Sequence, residues 1–165
     1  MAKSERRVAV DSCVIVNVLT GGGQHDDPAW LPASESVLRA AESGKFTMTV
    51  SVVTVAEVFG DGGTRGDHLS PRDRRANVQA ARKWLSNGPF RIVEAERTLA
   101  EEAAQLAVEH QLKGADAIIL ASALRAGADA LCTWDKGLLK IGASIEGLRV
   151  LTPDKLDFDR DLFSH

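Results

Sequence analysis

Four acidic residues of this sequence stand in apolar surroundings. Asp11 ends the β-branched run Arg7-Val8-Ala9-Val10 and is followed by Ser12 and Cys13, while Glu57 interrupts the apolar segment 52–59. Asp116 opens the stretch 116–124, apolar on nearly every side, and Asp135 follows the strand-like segment 130–133 at once. If these four carboxylates meet in one crevice they cannot all stay ionised without a cation, and ligands that are all oxygen favour Mg²⁺ or Mn²⁺ over zinc. Each position also has a structural reading. Asp116 can cap its helix, Glu57 can face solvent on a half-buried helix, and Asp135 can be a turn aspartate in Trp134-Asp135-Lys136-Gly137. Asp11 is harder to explain that way, because a carboxylate ending a buried strand needs a partner.

Bringing the four together requires strands that end at a common edge. Residues 7–10 read as a buried parallel strand that delivers Asp11 to the carboxyl edge of a sheet, which is where open α/β sheets bind ligands. A helix begins in 14–19 and is stopped by Gly21-Gly22-Gly23; residues 24–32, with Asp26, Asp27 and two prolines, read as a mobile loop. Ser34 or Ser36 caps the next helix, closed by Gly44, and 46–50 is a second strand. Propensity alone would extend that strand to Val58. A buried strand would leave Glu57 an unpaired charge, so we read Ser51 as an N-cap and 52–59 as helix, which lets Glu57 face the edge that carries Asp11. Residues 60–66 form a glycine-rich connection. Ser70-Pro71 starts a helix running to about Leu85 with a basic surface of Arg72, Arg74, Arg75, Arg82 and Lys83 and a thin apolar stripe. A strand at 90–93, an amphipathic helix from Thr98, the buried helix at 116–124 and short strands at 130–133 and 148–151 complete the alternation. Strands alternating with helices indicate an α/β fold with a mainly parallel sheet.

The chain of 165 residues reads as one domain, with a core over about 8–153 and an acidic tail, 154–165, carrying Phe158, Leu162 and Phe163. A formal charge of −3 excludes a globally basic nucleic-acid binder but not a local basic groove. Cys13 and Cys132 fit a reduced cytoplasm better than a disulfide framework and read as small buried apolar residues. The charges at Lys3, Glu5, Arg6 and Arg7, with no apolar region behind them, argue against a signal peptide. No run reaches the length of a membrane span, so a cytoplasmic location is expected.

The ordered set Val10-Asp11-Ser12, Ala56-Glu57, Gly114-Ala115-Asp116-Ala117 and Thr133-Trp134-Asp135-Lys136-Gly137-Leu138 resembles the PIN-domain ribonucleases, especially the VapC-type toxins of type II toxin–antitoxin systems. The resemblance covers about Val8 to Pro153. It implies a PIN-like domain with a central, mainly parallel sheet flanked by helices, and Mg²⁺-dependent cleavage of RNA phosphodiester bonds. Carried over residue by residue, it makes Asp11, Glu57, Asp116 and Asp135 the acidic site, with Ser12 and Thr133 as supporting hydroxyls. Asp11, Asp116 and Asp135 would hold the metal, Mg²⁺ or alternatively Mn²⁺, and Glu57 would ligate it or position the water. It further implies a homodimer and a cognate antitoxin that inserts a side chain into the site. The connection over 60–69 departs from the pattern in being longer and richer in glycine.

RNA must be held beside this acidic site. Lys113, Lys136 and the basic helix, with Arg72 and Arg75 among its residues, could supply the positive charge. Trp134 could stack a base, although packing at the strand end is the alternative. None of His25, His68, His110 and His165 lies in a recognised motif, so a histidine-dependent ribonuclease mechanism has no support. Three other functions compete with the toxin reading. One is a housekeeping RNA-processing nuclease, and another is a non-catalytic PIN-like module that binds RNA or protein, disfavoured because all four acidic positions are occupied. The third, an aspartyl-phosphate phosphotransferase, calls for a second aspartate where this chain has Cys13.

Overall fold

The computed structural model describes residues 5–22 and 27–157. Among these, β1 (Arg7–Val10) leads into α1 (Ser12–Leu19) and α2 (Trp30–Glu42), and β2 (Thr47–Ser51) into α3 (Val52–Gly60), the single turn α4 (Gly62–Arg65) and α5 (Pro71–Asn87). Then β3 (Phe90–Val93) precedes α6 (Arg97–His110) and α7 (Gly114–Arg125), β4 (Ala130–Cys132) precedes α8 (Lys136–Ile141), and β5 (Arg149–Leu151) is the last strand. The strands lie in the order β3-β2-β1-β4-β5 and every pairing is parallel, the α/β architecture expected from the sequence. The chain winds outward from β1 to β3, then crosses to lay β4 and β5 on the other side of β1. The winding therefore reverses between β1 and β4, and such a reversal opens a crevice at the carboxyl edge of the sheet.

Alternation along the strands sorts the core into two faces, as the pleat requires. Val8, Val10, Met48, Val50, Ala130 and Cys132 point to one face, where they pack with Val14, Ile15, Val37 and Val58 from α1, α2 and α3. Ala9 and Leu131 point to the other, against Ile119, Leu120 and Ala123 of α7 and Leu138 of α8. A second layer on that side joins Leu99 and Ala103 of α6 to Ala117 and Ala121 of α7. Each fully buried valine or leucine contributes roughly 1.5–3 kcal/mol, so β1, buried on both faces, is held firmly in the centre.

Local chemistry sets the boundaries that the site depends on. Ser51 ends β2 and accepts the Val53 N–H at 3.2 Å, which starts α3 at once and turns a β-branched run into helix. Ser70 caps α5 ahead of Pro71 in the same way. The glycine-rich 60–66 stretch is not an open connection. It folds into α4 because the Asp61 carboxylate accepts from both Gly63 N and Thr64 N, and Gly66 closes the turn at φ +68°, where a Cβ would lie 3.2 Å from the Arg74 Cα.

Other expectations are corrected. The second helix begins at Trp30 rather than at a cap on Ser34 or Ser36, so the expected loop shrinks; its residues 24–26 lie outside the described residues. Ser34 is buried inside α2, where its Oγ accepts from Asn17 Nδ2 at 3.0 Å and Trp134 Nε1 at 2.9 Å. The helix α8 was not expected at all. Phe158, Leu162 and Phe163 of the tail, with His25 and His165, lie outside the described residues, whereas Leu156 at the start of the tail is buried in the core. Among the described residues, no helix is long and apolar enough to cross a membrane.

Candidate active site

The site forms around the end of β1. Asp11 continues the sheet by donating its N–H to Cys132 O at 3.0 Å, and then becomes the N-cap residue of α1. Its side chain is only 4% exposed, and three donors surround it. Oδ1 accepts from Ser12 N at 2.7 Å, and Oδ2 accepts from Thr133 Oγ1 at 2.7 Å and faces the Cys13 thiol at 3.4 Å. Even so, burial pushes the Asp11 carboxyl above its usual range; the Thr133, Cys13 and Ser12 bonds oppose this and the charge of Asp135 adds to it.

The other three carboxylates arrive on three different elements. Glu57, half-buried on α3, accepts the Ser12 hydroxyl at 2.8 Å, which joins it to the first turn of α1. Its carboxyl is raised by burial, with Asp11, Asp116 and Asp135 raising it further against the Ser12 bond. Asp116 comes from α7, the helix that precedes β4 and so runs antiparallel to the strands. At 12 residues α7 is long enough to span the strand length, ~18 Å at 1.5 Å per residue, which sets its first turn at the carboxyl edge. Lys113 holds the N-cap position of α7 and no side chain caps the helix, so Asp116 is not the cap that its sequence position allowed. Burial, then Asp135 and Asp11, raise its carboxyl, and Lys113 counteracts them.

Asp135 is a capping residue: its Oδ1 accepts the Leu138 N–H at 2.9 Å and starts α8. Thr133, fully buried, connects it to Asp11, since Thr133 Oγ1 accepts the Asp135 N–H at 2.8 Å while donating to Asp11. Cys13, read from sequence as a small apolar residue, lies inside this network, with Sγ 3.2 Å from Trp134 N and 3.5 Å from Thr133 Oγ1. Burial pushes its thiol far up, so it is no nucleophile. Its place two residues after a strand-end aspartate was the one available signal.

Of the residues proposed to touch substrate, Lys113 and Lys136 are exposed at the starts of α7 and α8, and Arg72 and Arg75 are exposed in the first turns of α5. Trp134 is not available to stack a base. It is 8% exposed and stacked on Trp30 with ring centroids 4.5 Å apart, which anchors the turn that carries Asp135. An apolar cavity of about 520 Å³ between Leu38, Met48, Trp84 and Phe90 holds none of the four carboxylates.

Among the described residues, no three carboxylate, imidazole or thiol groups lie close enough to enclose a cation in the arrangement seen. Asp11, Glu57 and Asp135 are each turned onto internal donors. The donor set still fits a hard divalent cation. Three carboxyls are raised by burial and by their neighbours, and the ion pairs Arg65–Asp67, Arg97–Glu101 and Arg125–Glu102 all lie elsewhere.

A doubly wound parallel sheet with acidic side chains at its switch point defines a class, and comparison with known families agrees: the PIN domain matches residues 8–144, so the chain belongs to the PIN-domain family. Several solved structures are similar to this chain. A toxin–antitoxin complex from Klebsiella pneumoniae is 25% identical, with 88% of this chain and 97% of that chain covered and a TM-score of 0.56. FitAcB from Neisseria gonorrhoeae shares the fold at 22% identity, 90% and 99% coverage and a TM-score of 0.57. VapC20 of Mycobacterium tuberculosis, described as a sarcin–ricin loop cleaving toxin, does so at 21% identity, 78% and 90% coverage and a TM-score of 0.56. No curated protein matches the sequence at a significant level.

Proposed function

We propose that this protein is a Mg²⁺-dependent ribonuclease on a single PIN domain, acting as the toxin of a toxin–antitoxin pair. The observation that carries the reading is the set of four carboxylates at the switch point of the sheet, three of them raised by burial and by one another. Membership of the PIN family and the toxin relatives support it. Asp11, Asp116 and Asp135 would hold the cation, Mg²⁺ or Mn²⁺, and Glu57 would either ligate it or position a water. A divalent cation bound there would make a water more acidic and neutralise charge developing on the phosphate. Thr133 holds Asp11 and the Asp135 backbone in register, and Ser12 does the same for Glu57. Lys113, Lys136 and the α5 arginines, Arg72 and Arg75 among them, meet the RNA backbone.

In this reading the chain forms a homodimer in the cytoplasm and is held inactive by a cognate antitoxin; the complex from Klebsiella pneumoniae is the comparison that favours such a partner. The test is to incubate purified protein with total RNA and Mg²⁺ or EDTA, beside Asp11→Asn, and to map the cut ends. Cleavage that needs Mg²⁺ and is lost in the variant is expected, together with slowed growth on expression of the wild type alone. Near wild-type cleavage by Asp11→Asn would place the chemistry elsewhere.

A further inference from the structure

The proposed chemistry makes no use of the Cys13 sulfur, yet that atom touches both strand ends that bear the site. Sγ accepts the Trp134 backbone N–H at 3.2 Å and lies 3.4 Å from Asp11 Oδ2 and 3.5 Å from Thr133 Oγ1. The Thr133 hydroxyl has one proton, which goes to Asp11 Oδ2 at 2.7 Å, and one of its lone pairs takes the Asp135 N–H at 2.8 Å. The thiol hydrogen is then left to point at Asp11 Oδ2 or Thr133 Oγ1, while the sulfur lone pairs receive the Trp134 N–H. One side chain on the first turn of α1 thus bonds to the residue ending β1 and to the turn between β4 and α8.

We infer that Cys13 is a positioning residue: its sulfur sets the separation between the Asp11 carboxylate and the turn bearing Asp135, and so sets how tightly the site holds a divalent cation. The inference rests on the reading of Asp11 and Asp135 as cation ligands. Outer partners that orient ligands in this way typically change metal affinity 10–100-fold when removed. Alanine at this position removes the acceptor for the Trp134 N–H and the weak donor to Asp11. Valine does the same while refilling most of the volume, which separates bonding from packing. Serine keeps a donor and an acceptor, but its shorter C–O bond draws the atom back from its three partners.

The experiment titrates the full chain with Mg²⁺ alone by calorimetry, follows amide exchange at Trp134 and Asp135 by NMR, and measures RNA cleavage against Mg²⁺ concentration. Cys13→Ala and Cys13→Val should each weaken Mg²⁺ binding by about 10–100-fold, with Cys13→Ser between them and the wild type. Exchange at Trp134 and Asp135 should quicken, and amides of β2 should be unaffected. A purely packing role would lower the melting temperature of Cys13→Ala, spare Cys13→Val, and leave half-saturating Mg²⁺ unmoved; that result overturns the inference. If alanine or valine fails to fold, Cys13→Ser decides, since an unchanged Mg²⁺ affinity in that variant also overturns it. Wild type that takes up no Mg²⁺ sinks the metal reading and this inference together. Wild type that binds, beside variants that bind equally, sinks this inference alone.

Discussion

Replacing Asp116 with Asn separates the role of this residue in its helix from its role at the site. Asp116 is the third residue of α7 and caps nothing, so a capping bond is not at risk. An acidic residue in a first turn usually gains about 0.3–1 kcal/mol from the helix dipole, and Asn forfeits that. Against this stands the raised carboxyl of Asp116, driven by burial and by Asp135 and Asp11, with Lys113 too weak to cancel them. A raised acid pKa means the folded surroundings, dipole included, disfavour the charge, so the neutral variant should melt at or above the wild type in EDTA. Mg²⁺ reverses the order. At about 100 times its dissociation constant a cation bound only by the native state adds about 2.7 kcal/mol, or roughly 5–11 °C for a chain of this size. Losing a direct ligand should cost at least the roughly 10–100-fold typical of an outer partner, which leaves at most about 0.4–1.4 kcal/mol at the same Mg²⁺ concentration, roughly 1–6 °C. Thermal melts of both proteins in EDTA and in Mg²⁺, beside an RNA cleavage assay, measure all of this. A wild-type-sized Mg²⁺ shift with intact cleavage in Asp116→Asn would remove Asp116 from the site and leave three carboxylates.

Three further outcomes are expected. Asp11, Glu57 and Asp116 are raised in the fold, so the native state binds more protons than the unfolded chain above pH ~4, where unfolded carboxyls titrate. In EDTA the stability these groups provide is therefore full below that pH and lost as pH rises through their folded values; Asp11→Asn should flatten the curve of melting temperature against pH, and a curve identical to the wild type's refutes the cause. Thr133→Val removes the hydroxyl shared by Asp11 and the Asp135 N–H, which should cost about 1–3 kcal/mol in chemical denaturation, and should lower cleavage about 10–100-fold; unchanged cleavage in a destabilised variant would make the hydroxyl purely structural. Arg72, Arg74 and Arg75 changed together to alanine should weaken RNA binding and reduce the slope of log affinity against log salt by about 0.7 per lost contact, and an unchanged slope would make α5 a solvated face.

Most elements of this protein, though not α4 or α8, were legible because their boundaries are set by neighbours in the chain. Ser51 accepting the Val53 N–H and Ser70 ahead of Pro71 are bonds spanning a few residues, and the apolar run of β1 needs only its own composition to be read as buried. The four acidic positions could be picked out for a related reason, since a carboxylate in an apolar segment asks for an explanation wherever the segment goes. Whether they share one crevice stayed conditional in the sequence, because it depends on how the helices bearing Glu57 and Asp116 flank the sheet.

Tertiary structure alone decided what those side chains touch. Thr133 meets Asp11 across 122 residues, Ser12 meets Glu57 across 45, and the Trp134 indole meets Ser34 across 100. Nothing within a few residues of Trp134 shows that Trp30 will cover it, so a base platform and a packed anchor look alike in sequence. Ser34 had the same ambiguity, as a helix cap by type and a buried hydrogen-bond hub by position. Cys13 reads as a small apolar residue until the turn after β4 is laid against it, and only then does its sulfur have three polar partners. Exposure and partnership depend on which distant surface packs against a residue, and that is settled by the whole core rather than by local propensity.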